Sequence, residues 1–79
     1  MILKIKREGS KEGSYSWEFR DGITSLDVEQ EEISPTVKDS PGTIETWIHY
    51  SIHGDFVHQS LNTESYLLND KGQTIERLY

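Results

Sequence analysis

Short runs of alternating apolar and polar residues, separated by turn dipeptides, organise this chain. Met1, Leu3 and Ile5 fall on one face of a first strand, Met1 to Arg7, with Ile2, Lys4 and Lys6 on the other. A polar, glycine-spaced loop follows, from Glu8 to Ser14. Two more runs, Tyr15 to Arg20 and Ile23 to about Gln30, flank Asp21-Gly22. As a two-residue type I′ turn, Asp21-Gly22 pairs Arg20 with Ile23, Phe19 with Thr24, Trp17 with Leu26 and Tyr15 with Val28. That register puts the large apolar residues on one face and Ser16, Glu18, Ser25 and Asp27 on the other, which a one-residue slip would undo.

Residues 31–42 hold Pro35 and Pro41 and read as a long loop, with Pro41-Gly42 suited to a type II turn. Strands four and five, Thr43 to His53 and Phe56 to Leu61, flank Gly54-Asp55. A II′ turn there pairs His53 with Phe56, Ser51 with His58 and Tyr50 with Gln59. Ile44, Ile48, Tyr50, Ile52, Val57 and Leu61 then form a core face, and Trp47, His49, Ser51, His53, Phe56, His58 and Ser60 the opposite face. The last unit is Ser65 to Asn69 and Gln73 to Leu78, around Asn69-Asp70-Lys71-Gly72, a type I turn closed by a glycine bulge. Three- and four-residue loops fit equally, and Thr63-Glu64 offers a competing helical turn. Six to seven short hairpin-linked strands predict one all-β domain over residues 1–79, its antiparallel sheet curled into a small barrel or sandwich.

Seventy-nine residues allow only a small core. There is no cysteine, which fits a reducing cytoplasm. The first residues are too short and too charged a run for a signal peptide, and no apolar run spans a bilayer. The net charge is −6, densest in acid at Asp27, Glu29, Glu31 and Glu32. A negative field repels phosphate backbones and steers the protein toward basic surfaces; it also serves solubility.

All three histidines, His49, His53 and His58, project to the second face of the strand four–five hairpin. Imidazole is a good zinc ligand, and Asp55 at the turn adds a carboxylate, so a small zinc-binding protein is one reading. The same face offers Trp47 and Phe56 as aromatic anchors for a protein partner; alternatively, other parts of the chain cover it. No Gly-x-Ser-x-Gly elbow is present, and Gly9-x-x-x-Gly13 lacks the Lys-Ser/Thr of a phosphate loop. An enzyme or small-ligand binder is therefore the least supported class.

A short, acidic, cysteine-free domain without a catalytic constellation resembles the small inhibitors that phages encode against host enzymes, including anti-CRISPR proteins and DNA mimics. Here Asp27, Glu29, Glu31, Glu32 and the overall charge carry the likeness. It implies a stoichiometric partner with a basic, nucleic-acid-binding surface, such as a CRISPR-Cas effector. The expectation is a non-catalytic binding protein, with Asp27, Glu29, Glu31, Glu32, Trp47 and Phe56 as contacts and neither nucleic acid nor membrane as direct partner.

Overall fold

The computed structural model describes residues 1–33 and 42–79. Its strands are β1 (Ile2–Glu8), β2 (Tyr15–Arg20), β3 (Ile23–Ile33), β4 (Thr43–Ile52), β5 (Asp55–Leu61), β6 (Ser65–Leu68) and β7 (Thr74–Arg77). They form two antiparallel sheets, a four-stranded one in the order β2-β1-β6-β7 and a three-stranded one in the order β3-β4-β5. The all-β expectation holds, but neither sheet closes into a barrel. Among the described residues no helix is long and apolar enough to cross a membrane.

Both sheets contribute to the core. Leu3 and Ile5 of β1, Leu67 of β6 and Leu78 pack with Ile23, Ile48, Tyr50 and Leu61. Leu3 and Ile48 are completely buried, each contributing about 2 kcal/mol of transfer energy. The alternation of β1 thus chooses its face as predicted, with Lys4 and Lys6 on the side away from the core.

The predicted Asp21-Gly22 hairpin does not form. β2 pairs with β1, Phe19 opposite Lys4 and Trp17 opposite Lys6. β3 pairs with β4, Leu26 opposite Tyr50, after a bulge at Thr24. A type I′ turn needs positive φ at both central residues, and only Gly22 has it, at 89°. Asp21 instead accepts the Gly22 N–H on its own Oδ1 at 2.7 Å. The Ile23 N–H donates to the Met1 carbonyl, so the chain crosses from one sheet to the other here.

β2 therefore shows its aromatic residues to the outside and its polar ones to the core side. Arg20 Nη1 donates to the Tyr50 hydroxyl and, at 2.9 Å, to Gln59 Oε1; the Tyr50 hydroxyl donates to the same oxygen at 3.0 Å. Glu18 Oε2 sits 2.6 Å from Arg7 Nη2 and 3.5 Å from Arg20 Nη2. This network bonds β2 of one sheet to β4 and β5 of the other. The Arg7 hydrogen bond, helped by the charges of Arg20 and Arg7, holds the Glu18 carboxyl below the ordinary carboxylate value of 4.5 despite the opposing effect of desolvation.

Two boundaries also shift. β3 runs on to Ile33, so residues 31–33 of the loop predicted over 31–42 are strand; Pro35 and the Pro41-Gly42 turn involve residues outside those described. The turn between β4 and β5 is His53-Gly54, with φ of 49° and 84°, rather than Gly54-Asp55. Two consecutive positive φ values are the type I′ signature, and Ile52 then pairs with Asp55. The register moves by two residues, which keeps each paired side chain on its predicted face, while His53 passes into the turn. Of the core face predicted for β4 and β5, Ile44 is the exposed member, at 66%, near the start of β4; Val28 of β3, predicted inward, is exposed as well.

The C-terminal hairpin resolves to a three-residue loop, Asp70-Lys71-Gly72. The Asn69 N–H donates to the Gln73 carbonyl and the Gly72 N–H to the Asn69 carbonyl, with Gly72 at φ 81°. Ser65–Leu68 is strand, so the helical alternative at Thr63-Glu64 is not taken.

Candidate functional site

The face of the three-stranded sheet away from the core gathers most of the predicted contacts. Alternation along β3 puts Asp27, Glu29 and Glu31 on this face, and β4 adds Glu45, Trp47, His49 and Ser51. Asp27 lies opposite His49, Glu29 opposite Trp47 and Glu31 opposite Glu45. β5 contributes Phe56, opposite Ser51, and His58, opposite His49. Phe56 is 91% exposed, an uncommon place for a large apolar ring.

Polar contacts fix these side chains. His49 Nε2 is 2.8 Å from Glu29 Oε2. Trp47 Nε1 donates to Glu45 Oε2 at 3.1 Å, an i, i+2 contact along one face of the strand. The His58 ring stacks on His49 with centroids 4.1 Å apart and planes 13° apart, and meets Trp47 at 4.5 Å. Trp47, His58 and His49 thus form a continuous aromatic strip beside the acids of β3. Glu31 and Glu45 have no cationic partner within salt-bridge distance among the described residues.

The acidic run does not lie entirely on this face. Glu32 sits opposite Ile44, on the other side of the sheet. Glu31 and Glu32 are in regular strand rather than in a fraying loop, because pairing with β4 continues to Ile33 opposite Thr43. β3 is an edge strand, and its charges also discourage edge-to-edge association with other sheets.

The histidines are not brought together as predicted. His53 is in the turn, its ring over Gly22, where a Cβ would come within 2.6 Å of His53 Cε1. Asp55 pairs with Ile52, away from His49 and His58. The two remaining rings are nearly parallel, so their in-plane lone pairs run side by side instead of converging on one ion. Among the described residues no group of three His, Cys, Asp or Glu side chains is arranged to hold a metal ion.

A shallow, open depression of about 260 Å³ lies between Asp27, His49, Ser51, Phe56 and His58. It is smaller than the ~300–1,000 Å³ of typical small-molecule sites, and suits a side chain of a partner better than a free ligand.

The cation–aromatic face of the four-stranded sheet escaped the sequence reading. Its signal was present in the Lys4, Lys6 alternation and the Tyr15, Trp17, Phe19 alternation, but the mistaken hairpin turned those rings inward. No protein-family model matches the chain, and no curated protein or solved structure matches it significantly.

Proposed function

We propose that this protein is a non-catalytic binding module that seats the acidic, aromatic face of β3, β4 and β5 on a basic surface of a larger partner. The observation that carries this reading is the cross-strand pair Glu31–Glu45. Like charges directly opposite each other weaken a sheet, and a partner's Lys or Arg between them would relieve the repulsion. Asp27 and Glu29 extend the acid along β3, while Trp47 and Phe56 supply apolar anchors beside it. In this reading the two sheets stack as a small sandwich, which leaves the acidic face outermost.

A surface that normally holds phosphates is basic, and so is the kind of partner surface that the acids of β3 favour. A module of this kind would act as a stoichiometric inhibitor, occupying the nucleic-acid site of an effector such as a CRISPR-Cas nuclease. The test is capture of partners from a nuclease-treated host lysate by the parent protein and by the variant E29K/E31K. The expected result is a basic protein retained by the parent, released by excess duplex DNA and by salt, and lost from the variant. Equal retention by both proteins overturns the proposal.

A further inference from the structure

The four-stranded sheet carries, on its face away from the core, a row of alternating rings and cations. Phe19 of β2 lies opposite Lys4 of β1, Lys4 opposite Tyr66 of β6, and Tyr66 opposite Arg77 of β7. Lys4 Nζ stands 4.4 Å from the Trp17 ring centre, 6.0 Å from Phe19 and 5.8 Å from Tyr66. Lys6 Nζ stands 4.4 Å over Tyr15, and the Arg77 guanidinium 5.8 Å over Tyr66. Tyr15 and Phe19 remain 56% and 58% exposed. Tyr, Trp and Arg are the side chains that most often anchor protein interfaces.

Among the described residues Glu8 and Glu64 bring carboxylates to this face, and Arg77 Nε donates to the Tyr79 carbonyl oxygen at 3.0 Å. Glu8 lies opposite Tyr15, and Glu64 is 3.7 Å from Lys6 and accepts from the Tyr66 hydroxyl. These carboxylates and the net charge of −6 repel any anion; a phosphate backbone offers only charge in return, whereas a protein surface that sets Trp47 and Phe56 beside its acids also brings apolar cover for the exposed rings. The cations over Trp17 and Tyr66 also occupy ring faces on which a base would stack. The face therefore favours an acidic protein surface with its own aromatic residues, and the chain presents such a surface on its other sheet.

We infer that the Lys4, Lys6, Arg77 face of one copy docks on the Asp27, Glu29, Glu31, Glu45 face of a second copy. The two patches are different surfaces, so the contact is heterologous and propagates head to tail. The inference rests on the acidic face being open to a partner, as in the proposed function, with a second copy as a competing occupant. Cation–π contacts alone would keep Lys4 and Lys6 in place, but they leave Tyr15 and Phe19 uncovered; the docked copy covers them.

Sedimentation velocity across a concentration series tests this. The parent's weight-average mass should rise above the single-chain 9.1 kDa at low salt and return to it at about 0.5 M salt, where the Debye length is only a few ångströms. The variants K6E/R77E and E29K/E31K should each associate at least tenfold more weakly. Mixed in equal amounts they should associate again, because K6E/R77E keeps its acidic face for the intact cationic face of E29K/E31K. Should K6E/R77E melt early, Arg77→Glu alone, at an exposed position of β7, replaces it. A parent that stays at 9.1 kDa at low salt, or association that neither variant weakens, overturns the inference. So does a single-chain parent that binds labelled oligothymidylate through Lys6 and Arg77, which would assign this face to single-stranded nucleic acid. K6E/R77E leaves the acidic face unchanged, so its capture of a basic partner reports on the proposed function separately.

Discussion

Glu31 and Glu45 stand directly opposite each other on β3 and β4, their carboxylates on the same side of the sheet. Replacing one of them by lysine turns repulsion into attraction. Glu31→Lys should stabilise the fold by about 0.2–1 kcal/mol. For a domain of this size that raises Tm by a few degrees in calorimetry, since 1 kcal/mol corresponds to roughly 4–8 °C. The same substitution should weaken capture of a basic partner. A gain in stability coupled to a loss of binding is the expected mark of a site kept for function; a lowered Tm would remove the electrostatic basis of the site.

Arg20 is the side chain that links the sheets by hydrogen bonds among the described residues, beside the backbone bonds between Met1 and Ile23. Truncation to alanine removes its bonds to Tyr50 and Gln59 and leaves Glu18 with Arg7 alone. Hydrogen bonds involving a charged group contribute about 1.5–3 kcal/mol, and the partial exposure of Arg20, 30% of its side chain, places the loss toward the low end. Chemical denaturation should show that loss with an unchanged m-value. A variant as stable as the parent would mean that the apolar core and the Met1–Ile23 backbone bonds hold the sheets together without Arg20.

Gly22 and His53 form a contact that no side chain at position 22 can share. Gly22→Ala meets both a positive φ and the His53 ring, so it should cost more than the roughly 1–2 kcal/mol of the backbone conformation alone. His53→Gly removes the ring and eases the left-handed conformation at 53. In that background Gly22→Ala should cost less, by about 0.5 kcal/mol or more, in a double-mutant cycle. Strictly additive losses would show that the ring and the glycine do not touch.

Glu18 and Glu64 make the fold acid-sensitive. Arg7 and Arg20 lower the Glu18 pKa, and the Tyr66 hydroxyl, with Lys6, lowers that of Glu64. A carboxyl whose folded pKa is depressed stabilises the fold above its unfolded value, 4.5 here. That stability is lost as pH falls through 4.5 and on past the folded value. Tm should therefore be flat down to about pH 5 with respect to these groups and decline below it. Glu18→Gln should lower Tm at neutral pH and flatten the acid decline; an unchanged slope would place the sensitivity on other groups.

Side-chain parity was legible in the chain, whereas strand partnership was not. The β4–β5 register was misjudged by two residues, yet Ile48, Tyr50 and Leu61 are buried and Trp47, His49, Phe56 and His58 face out, because a two-residue shift preserves parity. At Asp21-Gly22 the local dipeptide favours a hairpin, but Leu3 and Ile5 compete for the core, and β1 claims β2 as its neighbour. That outcome depends on residues far from the turn. The candidate site was legible where it obeyed alternation within the predicted strand, at Asp27 and Glu29, and not where it depended on strand length or a turn, at Glu31, His53 and Asp55. The ring–cation row needs four strands from both ends of the chain, so local alternation supplies its parts but not their assembly.

The pairing of Ile2 with Leu68 has a kinetic consequence. β1–β2, the β3–β4–β5 meander and β6–β7 are each local and can form on the microsecond scale of hairpins. The β1–β6 seam alone joins the two ends, across the whole β3–β5 segment, and its loop-closure entropy must be met before its contacts form. Folding should thus be limited by that one ladder. A nascent chain emerging from the ribosome would hold β1 with an open edge until β6 arrives to close it.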